Sequence, residues 1–153
     1  MQWRRTIFWV GVIAAIAIGV WLRLYTVPQV TRGGRIRVLG SDDLYHLRRA
    51  RFAVAHYPRT ILFDPLMNFP AGGAPIWPPL FDVALATPAR LLDGPAASAD
   101  SVERRAAWVP LVFAAGSILL MGLFARRLFG EAAGAAAALF LAVCPGHLLW
   151  TQY

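Results

Sequence analysis

The chain has 153 residues, of which 58% are hydrophobic and 15% charged, with a formal net charge of +7. A soluble domain usually has about 25% charged residues, so this balance excludes an ordinary globular enzyme and points to the bilayer. All 15 basic residues are arginine, and many flank apolar runs instead of building a soluble basic face, which argues against nucleic acid as a partner.

The first apolar run is IFWVGVIAAIAIGVWL, residues 7 to 22, with Arg4 and Arg5 before it and Arg23 after it. As a helix it spans about 24 Å, slightly short for a hydrocarbon core of about 30 Å. Trp3, Trp9 and Trp21 suit the membrane interfaces, and the flanking arginines can snorkel. A secretory signal would need a small-residue cleavage site, whereas WLRLYTVP is bulky. Residues 1–23 are therefore expected to be an uncleaved transmembrane helix.

Residues 24–105 are too long for a structureless connection and should fold against the membrane as a partly helical external loop. Within it, DDLYHLRRARFAVAHY (42–57) predicts a surface helix that starts at Asp42, with Leu44, Leu47 and Val54 on one stripe. Acids early and arginines later suit the helix dipole. Prolines 58, 65, 70, 75, 78 and 79 then forbid a long helix and imply ordered turns. LFDVALATPARLL (80–92) predicts a short interfacial helix interrupted or kinked at Pro88, and GPAASAD (94–100) predicts a linker.

The second run, AAWVPLVFAAGSILLMGLFA (106–125), predicts a transmembrane helix over 106–127. The third, AAGAAAALFLAVCPGHLLW (132–150), is rich in small residues that allow close helix approach. It predicts a third span over 131–153, broken or kinked at Pro145-Gly146. The lone cysteine, Cys144, lies in this run, so neither an intrachain disulfide nor a cysteine-rich metal site can form. The basic link ARRLFGE belongs in the cytoplasm with Arg4 and Arg5, which puts residues 24–105 outside. The arginines in that segment conflict little with this orientation, because long loops escape the positive-inside rule. The expected fold class is an all-α integral membrane protein with about three transmembrane helices.

GSDDLYHLRRARFAV (40–54) concentrates the chemistry. In one reading, Ser41, Asp42 or Asp43 caps the helix that follows. In the other, Asp42, Asp43 and His46, spaced i, i+1 and i+4, converge on a divalent cation, and Arg48, Arg49 and Arg51 face phosphate.

GSDDLYHLRRARF, then HYP, then FDPLMNFPAGGAPIWPPLFD resemble the first external loop of the catalytic subunits of oligosaccharyltransferases, membrane glycosyltransferases of the GT-C class. The resemblance covers residues 7–153 and rests on the ordered set D-x-x-Y-H-L-R, Y-P, D-P, N-x-P-x-G and W-P-P-L-F. It implies transfer of an oligosaccharide from a polyprenyl diphosphate carrier to asparagine of an acceptor polypeptide, within a multi-pass cell-membrane protein. It implies that Asp42 is the catalytic carboxylate and a ligand of Mn²⁺ or Mg²⁺, with His46 and Arg48 binding substrate. Relatives often carry proline where Asp43 stands. The family's second acidic motif and sequon-reading domain would follow Tyr153, so the chain is expected to be an N-terminal portion that is inactive alone. The rival readings are another GT-C lipid-linked sugar transferase and a non-catalytic membrane subunit.

Overall fold

The computed structural model describes residues 2–25 and 40–149 and, between them, residue 28 and the backbone of 31–32 and 35–36. Two compact units emerge: residues 1–30 with 110–153, and residues 31–109.

In the first unit, α1 (Gln2–Leu24) has 23 residues and α5 (Trp108–Phe129) has 22, each about 33–35 Å long and sufficient to cross a bilayer. The core joins Phe8, Val12 and Ala15 of α1 to Ile118 of α5 and to Ala138 and Ala142 of α6 (Glu131–Val143). Glycines permit this packing. A Cβ on Gly134 would lie 2.7 Å from the Gly122 carbonyl oxygen, and one on Gly11 would lie 2.8 Å from the Ala135 Cβ. Trp3 and Trp21 are exposed, as interfacial anchors require.

Two expectations change here. Helix α6 has only 13 residues, about 20 Å, and ends at Cys144 before the short α7 (Pro145–Leu149). The break foreseen at Pro145 is therefore present, because proline has no N–H to continue the ladder. Only α1 and the apolar helix that ends at Phe129 have the length of a full span among the described residues. Residues 150–153, the expected end of the third span, lie outside those described. Arg23, expected to snorkel, is instead fully buried. Its guanidinium donates to the Gly19 carbonyl at 2.7 Å and to the His147 carbonyl at 3.2 Å, so protein oxygens replace water.

In the second unit, a two-residue ladder pairs β1 (Thr31–Arg32) antiparallel to β2 (Arg35–Ile36), a departure from the all-α expectation. The core is formed by α2 (Ser41–Ala55), α3 (Pro79–Leu92) and α4 (Ala99–Ala106). Leu47, Ala50, Ala53 and Val54 of α2 meet Leu85, Ala86 and Ala89 of α3 and Val102 and Ala106 of α4, with Val109 from the first turn of α5. Leu44, expected on the buried stripe, is 57% exposed. The buried face keeps Leu47 and Val54 of that stripe and adds Ala50 and Ala53, whose small side chains let α3 and α4 approach closely.

Helix α3 continues through Pro88 to Leu92, starting with Pro79 in its first turn, where the missing N–H costs nothing. Helix α4 was not foreseen and occupies part of the expected linker. Ser98 caps it by accepting from Ser101 N–H at 3.2 Å, Asp100 lies in its first turn, and Arg104 and Arg105 lie in its last.

Candidate functional site

Helix α2 carries the residues singled out in the sequence. Its N-cap is Gly40, with no side-chain cap hydrogen bond, so the capping reading of Ser41, Asp42 and Asp43 is overturned. Both acids instead lie in the first turn, where the helix dipole favours negative charge. The two carboxylates differ. Asp43 folds back over the chain entering the helix: a Cβ on Gly40 would come within 2.5 Å of Asp43 Oδ2. Asp42 is exposed, and its Oδ1 sits 3.5 Å from Ser41 Oγ, at the outer limit of a hydrogen bond.

One turn on, two interleaved i, i+3 pairs grip two buried aspartates. Tyr45 and Arg48 hold Asp64. The Tyr45 hydroxyl donates to Oδ2 at 2.9 Å, and Arg48 forms a two-pronged pair, its Nη1 to Oδ2 and its Nη2 to Oδ1 at 3.1 Å. The Leu66 N–H completes the set at 2.9 Å from Oδ1. The Arg48 guanidinium, followed by the Leu66 and Tyr45 donors, holds the Asp64 carboxyl below its ordinary value of 3.8. Burial, reinforced by Asp64, pushes the Tyr45 hydroxyl above 10.0.

His46 and Arg49 hold Asp82, which opens α3. His46 Nδ1 is 2.6 Å from Asp82 Oδ1, and because a carboxylate only accepts, the histidine proton sits on Nδ1. Arg49 Nη1 lies 2.9 Å from Asp82 Oδ2, while its hydrogen bond goes to the Trp77 carbonyl at 3.2 Å. Asp82 Oδ2 has no hydrogen bond of its own and is balanced by charge alone. The Arg49 and Asp82 side chains are 1% and 0% exposed, so water does not screen this pair. Trp77 and Phe81 flank His46 with ring centroids 5.5 and 5.1 Å away, and Tyr45 stacks at a tilt on Trp77.

Asp64 is also the anchor of the proline-rich segment. Its backbone exchanges two hydrogen bonds with Gly73, of 2.8 and 3.0 Å, closing residues 64–73 into a loop. Gly72 has a φ of 76°, and a Cβ there would meet the Phe63 ring at 2.5 Å, so this turn requires glycine.

The expected convergence of Asp42, Asp43 and His46 is not present. Among the described residues, no three His, Cys, Asp or Glu side chains gather as a cation site. His46 faces Asp82, and Asp43 faces Gly40. The site therefore fits a hard divalent ion as one carboxylate ligand, Asp42, and not as a whole coordination shell. Asp64 and Asp82 were missed as site residues. Their signal was the doublet spacing of Tyr45 with Arg48 and His46 with Arg49, which faces two donors per stripe toward one acceptor.

Comparison with known proteins gives a consistent family. The dolichyl-monophosphooligosaccharide–protein glycotransferase AglB of Haloferax volcanii is 32% identical over 135 residues, 88% of this chain and 13% of the relative. The dolichyl-phosphooligosaccharide-protein glycotransferase 3 of Archaeoglobus fulgidus is 30% identical over 138 residues, 90% of this chain and 16% of the relative. The chain thus spans less than a fifth of the length of these two relatives. Among solved structures, AglB from A. fulgidus in complex with an inhibitory peptide and a dolichol-phosphate superposes with a TM-score of 0.87 at 22% identity, covering 99% of this chain and 17% of that one. An A. fulgidus oligosaccharyltransferase in complex with Zn and sulfate gives 0.83 at 24% identity, covering 93% and 18%. These two likenesses establish the fold. No family model matches the chain.

Proposed function

The chain belongs to the AglB/STT3 oligosaccharyltransferase family, and from that membership we propose that it supplies part of a membrane enzyme that moves an oligosaccharide from a polyprenyl phosphate carrier to asparagine of an acceptor polypeptide. The Haloferax relative is named for a dolichyl monophosphate donor, so the carrier class includes monophosphates as well as diphosphates. The peptide and dolichol-phosphate bound to the Archaeoglobus relative support acceptor polypeptide and lipid carrier as partners. The reading takes α1 and α5 as spans, α6 and α7 as together making the third, residues 24–105 on the external face and α2 along the membrane surface.

One observation supports the assignment of Asp42: both adjacent acids are exposed in the first turn of α2, but Asp43 Oδ2 lies against Gly40 whereas Asp42 does not fold back over it. An amide nitrogen is a poor nucleophile while its lone pair is delocalised into the carbonyl. A carboxylate that accepts a hydrogen bond from the asparagine amide weakens that conjugation and fixes the nitrogen for attack. Among the described residues, the hydrogen bond made by Asp42 is the weak one from Ser41 Oγ at 3.5 Å, which competes little for this contact. When bound, Mn²⁺ or Mg²⁺ would add stabilisation of the departing phosphate, with Asp42 as one ligand. Arg48 keeps a half-exposed side chain beside Asp64 and suits the carrier phosphate. His46, mostly buried against Asp82, would act on substrate at the edge of the same surface.

The test is Asp42→Ala in the assembled enzyme, with peptide glycosylation as the readout. A residue that holds the acceptor amide should lose about 10²-fold or more in rate. A residue that only complements the helix dipole contributes about 0.3–1 kcal/mol, and activity would then follow protein abundance. Asp43→Ala is the control and should cost far less. Full activity of Asp42→Ala would leave the non-catalytic subunit as the surviving reading.

A further inference from the structure

Asp42, His46 and Arg49 are spaced i, i+4 and i+7, which places them on one stripe of α2. The two inner members of that stripe end on Asp82, at 2.6 and 2.9 Å, and the Arg49–Asp82 pair is the most buried ion pair among the described residues of this unit. Leu47, Ala50, Ala53 and Val54 seat α2 by apolar contact, which is non-directional and opposes a turn about the helix axis less sharply than directed ionic contacts do. A doubly held carboxylate cannot follow such a turn: one residue of rotation, about 100°, would carry both donors away from it. Burial strengthens this constraint, since a displaced Asp82 would stay desolvated without its countercharge.

We propose that Asp82 is a positioning residue that sets the rotation of α2 through His46 and Arg49, and so the direction in which Asp42 is presented to acceptor and cation. The Asp64 clamp acts differently. It ties Tyr45 and Arg48, on the neighbouring stripe, to the 64–73 loop, and it fixes where that loop sits on the helix. Asp82 lies on a second helix, α3, which packs through Leu85, Ala86 and Ala89 in the same core, so the clamp ties the two helices to each other. The inference rests on the reading of Asp42 given above and extends it to a residue that touches neither substrate nor ion.

Two measurements test it, one of which does not depend on catalysis. In the chain with Cys144→Ser, spin labels at Leu44→Cys and Leu91→Cys, both exposed, report the orientation of α2 against α3 by pulsed electron resonance. A single narrow distance population is expected with Asp82 intact, and a broadened or shifted one with Asp82→Ala. In the assembled enzyme, Asp82→Ala should raise the Mn²⁺ concentration needed for half-maximal glycosylation by about 10–100-fold, the usual penalty for losing a group that orients a ligand. Asp82→Asn, which keeps both acceptor oxygen and shape, should recover part of that loss. An unchanged distance distribution in folded Asp82→Ala overturns the proposal, as does a loss of activity proportional to folded protein with no change in Mn²⁺ requirement. If Asp42→Ala itself is active, the reading of Asp42 has failed, and the distance measurement still decides whether Asp82 orients the helix.

Discussion

Replacing Gly134 by alanine probes the packing of the first unit most directly. A Cβ there would lie 2.7 Å from the Gly122 carbonyl oxygen, 2.7 Å from the Arg126 Cβ and 2.8 Å from Phe8 Cε2. The first is backbone and the last belongs to a fully buried ring, so neither yields by changing rotamer. Overpacking of this kind costs about 1–3 kcal/mol. Replacing a helical glycine with alanine returns about 0.5–1 kcal/mol of backbone entropy. With three hard contacts the first effect wins, leaving a net loss of about 1–2 kcal/mol. Gly116→Ala provides the contrast: it is also helical but has nothing within 4 Å of its ideal Cβ, so it should gain the entropy and lose nothing. Chemical denaturation in detergent, followed by circular dichroism, should place the two variants on opposite sides of the parent. If Gly134→Ala matched or exceeded Gly116→Ala in stability, the close approach of α5 and α6 would be wrong.

The second unit should weaken in acid through Asp64, whose carboxyl is depressed when folded: its stabilisation is complete above the ordinary value of 3.8 and is lost as pH falls through the lower folded value. Asp64→Asn should flatten that part of the stability-against-pH curve, and an unaltered curve would remove Asp64 from the account. Asp82→Ala, which strands Arg49 in the core, should cost about 3–5 kcal/mol in thermal or denaturant unfolding, well above the loss from the exposed pair Arg104–Asp100. For topology, on a Cys144→Ser background, impermeant thiol reagents should modify Ser98→Cys from outside and leave Arg127→Cys untouched; the opposite pattern would invert the proposed orientation.

The elements governed by local chemistry were legible in the sequence. The apolar runs gave α1 and α5, the acid-then-base order gave α2 to within two residues at either end, and Pro145 gave the break after α6. Helix α4 was readable but missed: Ser98 as cap, Asp100 early and Arg104–Arg105 late are its start and stop signals, obscured by the alanines and glycine around them. The ladder at Thr31–Ile36 had a similar cue in the Gly33-Gly34 pair between two short extended segments. The destinations of the α2 side chains were not legible. Nothing local says that Asp64 and Asp82 are buried, or that His46 turns toward α3 instead of Asp42, because those facts depend on contacts between residues 16 to 36 positions apart. The unequal fates of Asp42 and Asp43 were hidden for the same kind of reason, since they depend on a missing side chain at Gly40.

Apart from the His46 contact, every ion pair described above has guanidinium as its cation, in a chain without a single lysine. Guanidinium does not lose its proton under any condition a protein survives, and it is no substrate for the acylating chemistry that silences amines. The guanidinium contacts on Asp64 and Asp82 are therefore untouched by alkali, by acetylation or by amine-directed crosslinkers; alkali reaches only the Tyr45 hydroxyl of the Asp64 clamp. An arginine-selective dicarbonyl should reach half-exposed Arg48 well before buried Arg49, so under that reagent the Asp64 clamp should fail before the Asp82 clamp.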